Sequence, residues 1–102
     1  MTDMQKFSVD TTGFAALTIT ELLLQECVMK GVLSEKDVKR LLKAAARRHE
    51  DAATGNLDRI QMNMETARLI RSLSVGLEPL FKKQRKKKKK AKKKAAQAQI
   101  SE

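Results

Sequence analysis

The chain has 102 residues, a formal net charge of +10, an apolar share of 41%, and Phe7, Phe14 and Phe81 as its only aromatics. This length admits one domain, and a core limited to Leu, Ile, Val, Met and Ala favours helices over strands. The single cysteine, Cys27, excludes an intrachain disulfide, and the acidic N-terminus lacks the apolar run of a secretory signal.

Residues 1–12 mix polar and apolar types without a period and read as a flexible N-terminal arm. Residues 13–30 read as the first helix. Phe14, Leu17, Leu24 and Val28 share one face at helical spacing, and Ala16, Ile19, Leu23 and Cys27 form a second apolar line nearly opposite. So apolar a helix needs cover on more than one side. Gly31 is a natural stop. The apolar stretches are broken by Thr, Glu, Gln and Lys, so no transmembrane segment is expected.

Ser34 reads as the N-cap of the second helix, with Asp37 in the acidic place of a capping box and Leu33 with Val38 placed as a hydrophobic staple. Val38, Leu41, Leu42, Ala45, His49 and Ala52 make its apolar face. Lys36, Arg40, Lys43 and Arg47 lie opposite, and the helix ends near Gly55. Asn56 caps the third helix, with Asp58 in its first turn. Leu57, Ile60, Met64 and Ala67 form one apolar flank, and Met62, Leu69, Ile70, Leu73 and Leu77 the other. Gly76 and Pro79 predict a stop or kink between them.

Residues 1–81 contain 11 basic and 11 acidic residues, whereas residues 82–102 contain 11 basic residues and only Glu102 as acid. The whole positive excess therefore sits in a low-complexity tail, which like-charge repulsion and the lack of apolar residues should leave disordered. Its cations are Lys82, Lys83, Arg85, Lys86, Lys87, Lys88, Lys89, Lys90, Lys92, Lys93 and Lys94. Such a tract binds phosphates by releasing counterions, without sequence preference. With no aromatic among its cations, it does not offer base stacking. Its charge also suits an acidic membrane surface or an acidic protein.

The inventory argues against catalysis. One histidine, His49, lies on an apolar face with no carboxylate three or four residues away, so no triad is suggested. One Cys and one His make no metal site, and Cys27 reads as apolar filler. The four glycines are too far apart for a phosphate loop. The basic stripe of the second helix offers almost no Asn, Gln, Ser or Thr for base readout, so it reads as a solvated face.

The expected fold is all-α: a three-helix domain over residues 13–81, completed as a helical bundle by dimerisation, with a disordered basic tail over 82–102. Leu17, Leu24, Val28, Met62, Leu69, Leu73 and Leu77 are the expected partner-binding residues, because a body this small cannot hide all its apolar surface. The expected function is non-enzymatic, cytoplasmic and without cofactor: helical assembly, with the tail holding nucleic acid or another polyanion. The alternative is a regulatory or chaperone-like subunit that receives a partner helix on helices 1 and 3.

Overall fold

A computed structural model describes residues 7–100, and within that span it consists of three helices with no strand: α1 (Val9–Met29), α2 (Glu35–Asp51) and α3 (Leu57–Ile100). The chain divides at Ser34 into two units, and α1 belongs to the first.

Helix α1 starts four residues earlier than its apolar period suggests. Ser8 caps it, its hydroxyl accepting from the Thr11 N–H at 3.1 Å, and Asp10 sits in the first turn. Gly13 is an interior residue of the helix. The arm expected over residues 1–12 is thereby shortened, and its first six residues lie outside the described ones. The C-terminus closes as Gly31 predicts. Gly31 takes φ +75°, its N–H donates to Val28 O at 3.1 Å, and the Val32 N–H reaches back to Cys27 O at 2.9 Å. This paired arrangement satisfies the last carbonyls and needs a residue tolerant of positive φ.

Helices α2 and α3 form an antiparallel hairpin around Gly55, which takes φ +95°. Asn56 caps α3, its side-chain oxygen accepting from the Arg59 N–H at 2.9 Å. The inward residues of α3 are Ile60, Asn63, Ala67, Ile70, Ser74, Leu77, Phe81 and Gln84, all buried or half-buried. Their spacing alternates strictly between three and four, the signature of a coiled-coil seam. The answering line on α2 is Glu35, Val38, Leu42, Ala45 and His49, continued by Ala52 just past the helix end, with Ala46 buried beside it. Leu41, assigned to this face by periodicity, is 47% exposed instead.

A stop or kink is expected between Gly76 and Pro79; the helix does not stop there, and this seam explains why. Leu77 and Phe81 lie on either side of Pro79, and both are buried. An interior proline costs about 3 kcal/mol, a sum comparable to the burial of one large side chain. Pro79 is also exposed, so the carbonyl it leaves unpaired, on Val75, lies on the solvent side and can bond to water.

Through the lysines, where the composition suggests a disordered tail, the structure gives α3 as a helix to Ile100. Lys and Ala are good helix formers. The hairpin has already met the nucleation cost, so each further residue only has to propagate. Residues 101 and 102 lie outside the described residues.

Candidate polyanion-binding face

The hairpin ends in a cluster of ion pairs that the sequence did not reveal. Arg85 donates through Nη2 to Glu78 at 2.8 Å and through Nη1 to Glu35 at the start of α2. The Arg85 hydrogen bond and charge hold the Glu78 carboxyl below its usual range. Lys39 lies over the Phe81 ring, 5.7 Å from its centre. Arg85 is therefore a clasp between the two helices and not one of the free cations of the tract. The body reaches one turn beyond the expected boundary at residue 81.

Beyond the clasp, α3 runs about 22 Å further at 1.5 Å per residue. Lys82, Lys83 and every described residue from 85 to 98 are exposed. At 3.6 residues per turn, Lys82, Lys83, Lys86, Lys87, Lys90, Lys93 and Lys94 fall within about 140° of the circumference. The centre of that arc is opposite the Leu77–Phe81 seam. Lys88, Lys89 and Lys92 occupy the rest of the circumference. Lys83, Lys86, Lys87, Lys89, Lys90 and Lys93 line a shallow groove. No acidic side chain among the described residues pairs with any of the ten lysines. The result is a rod with a dense cationic face, and nothing in its chemistry reads bases.

A second basic patch lies on α2, where Arg40, Lys43, Arg47 and Arg48 surround a shallow depression together with Asp51. Arg40 pairs with Asp37 at 3.4 Å. These acids dilute the patch.

His49 is engaged structurally. Its Nδ1 lies 3.0 Å from Asn63 Oδ1. The Asn63 amide nitrogen donates to Arg59 O at 3.0 Å and to Ala52 O at 3.3 Å. That arrangement leaves the Asn63 oxygen to accept, which assigns the proton to His49 Nδ1. Histidine and asparagine thus fasten the turn end of the hairpin. Among the described residues no three of His, Cys, Asp and Glu come together as metal ligands.

The expected partner-binding residues separate into three groups. Val28 and Leu77 are buried at 4% exposure each and are not available. Leu17, Leu24 and Leu73 are half-buried. Met62 and Leu69 are open at 65% and 47%. The larger open apolar surface is on α1, at Ile19, Leu22 and Leu23. Single residues at helical spacing do not show which of two apolar lines is covered. By length and composition α1 is also long and apolar enough to cross a membrane, a test that the core helix of a soluble protein passes as well. No family model, curated protein or solved structure matches this chain.

Proposed function

We propose that the chain is a non-enzymatic helical assembly or adaptor protein that holds nucleic acid, or another polyanion, through the lysine face of α3. The observation that carries the reading is the exposed set of ten lysines flanking Arg85, two before it and eight beyond, none sharing an ion pair with a described carboxylate. Each lysine that meets a phosphate displaces condensed counterions, so affinity comes from salt release and is indifferent to sequence. The acidic residues of the body limit binding elsewhere. Lysines four apart along the tract repel one another. Phosphates relieve that repulsion, so binding and helix formation favour one another. Self-association would complete a bundle and bring two tracts together, raising avidity through effective concentration. The lone Cys27 is at home in a reducing, cytoplasmic setting.

The test is duplex binding across a salt series. If all seven lysines of the dense arc engage, log K should fall with log salt at a slope of about −6. Two unrelated sequences should bind alike. Deleting residues 86–102 should remove retention while leaving the hairpin's melting nearly unchanged. Binding that survives the deletion, or a slope shallower than about −2, would refute the reading.

The open residues Leu22, Leu23, Met62 and Leu69 favour a second reading, a regulatory or chaperone-like subunit that takes a partner helix. There partner capture would survive loss of the tract.

A further inference from the structure

The two sides of α1 differ sharply. Leu17, Leu24 and Val28 lie together and are half-buried or buried. The opposite side is open, with Ile19 65%, Leu22 56% and Leu23 62% exposed. Along this open side Ala15, Ile19, Leu22, Glu26 and Met29 follow each other at spacings of four, three, four and three. That is the seam pattern of a helix that pairs with another helix.

The open stripe is also complementary to itself. Ile19 is the midpoint of the 21-residue helix. Exposed Ala15 and Ala16 precede it by the same distance at which Leu22 and Leu23 follow it. When two such stripes run antiparallel about Ile19, the large leucines of each copy meet the small alanines of the other. Run parallel, leucine meets leucine and alanine meets alanine, which crowds one end and leaves a void at the other.

Charge gives the same answer. Glu26 is the one carboxylate on the stripe. In the parallel arrangement the two copies of Glu26 face each other. In the antiparallel one they lie about 21 Å apart along the axis, more than twice the screening length of about 8 Å at physiological salt. A bilayer is a poorer cover, because it would take up Glu26 and also Glu21, which lies close to the helix midpoint.

From this we infer that the open side of α1 docks on the same side of a second copy, antiparallel, with the two Ile19 side chains meeting on the two-fold axis. The inference rests on the assembly half of the function proposed above and is independent of the lysine tract.

The test combines sedimentation with cross-linking. The full chain should sediment at about twice its 11.5 kDa mass, and Ile19→Arg should halve that mass with helicity unchanged, since residue 19 is exposed within one chain. Val75→Arg, a comparably exposed control on α3, should leave the mass doubled. In a Cys27→Ser background, a short bismaleimide should join Ile19→Cys chains at least tenfold faster than Glu26→Cys chains. A dimer that persists in Ile19→Arg overturns this interface while assembly stands. A monomeric native chain overturns both. Faster joining at residue 26 overturns the antiparallel arrangement. Flotation of the native chain with zwitterionic vesicles, lost in Ile19→Arg, makes lipid the occupant and overturns the second copy.

Discussion

Phe81→Ala tests whether the body of this protein continues past Pro79. Phe81 is fully buried and sits two residues beyond the proline, at the position where the α3 seam meets the first turns of α2. Replacing a buried phenylalanine by alanine removes its transfer energy and leaves a cavity, together about 3–5 kcal/mol. The loss of the Lys39 contact to the ring, about 0.5–1 kcal/mol for an exposed cation, falls within that range. Native domains hold about 5–15 kcal/mol in all, so the change is a large share of the total. In a hairpin of this size each kcal/mol moves Tm by about 4–8 °C, which predicts a loss of at least about 12 °C. The assay is urea and thermal unfolding followed by far-ultraviolet circular dichroism, because the chain has no tryptophan or tyrosine. Protein concentration is held fixed in case association contributes. Val75→Ala, at a site 75% exposed, is the control and should change stability by no more than about 0.5 kcal/mol. A Phe81→Ala cost below about 1 kcal/mol would mean that the packed body ends before the proline, and the seam argument would fail.

Three further outcomes follow from particular contacts. Arg85 holds the Glu78 carboxyl below its ordinary value of 4.5, so this pair's stabilisation is present above that value and disappears as pH falls through the lowered one. The urea midpoint of the native chain should therefore drop on acidification, and Arg85→Gln should flatten the drop in the region below pH 4.5; an identical pH profile in the variant would remove the clasp. Asn63→Leu should cost about 1–3 kcal/mol in urea unfolding, because it leaves the part-buried His49 Nδ1 and the Ala52 carbonyl without their amide partner. Gly31→Ala should cost about 1–2 kcal/mol by thermal melting, since the φ of +75° is a left-handed conformation. The space around Gly31 is open, so an unchanged melting temperature would deny the conformational strain.

Much of the hairpin was legible in the chain itself. Ser34 and Asn56 gave the starts of α2 and α3, and Gly31 and Gly55 gave the breaks, because caps and positive-φ turns are chosen by local chemistry. The charge division between a balanced body and a cationic extension was also open to counting. The start of α1 was missed because Thr11, Thr12 and Gly13 are weak helix formers, and only the Ser8 cap and Asp10 marked it. The candidate site was legible as a run of lysines but not as a face, since a face requires knowing that the helix continues.

The sequence by itself determined the helical class, the breaks between helices and the place of the positive charge. These depend on propensity, capping and composition, all of which act within a few residues. Tertiary structure alone decided that α3 passes Pro79, that Arg85 is spent on Glu35 and Glu78, and that His49 is tied to Asn63. Each of these depends on groups brought together from distant parts of the chain, and a local penalty is overridden only where such packing offsets it.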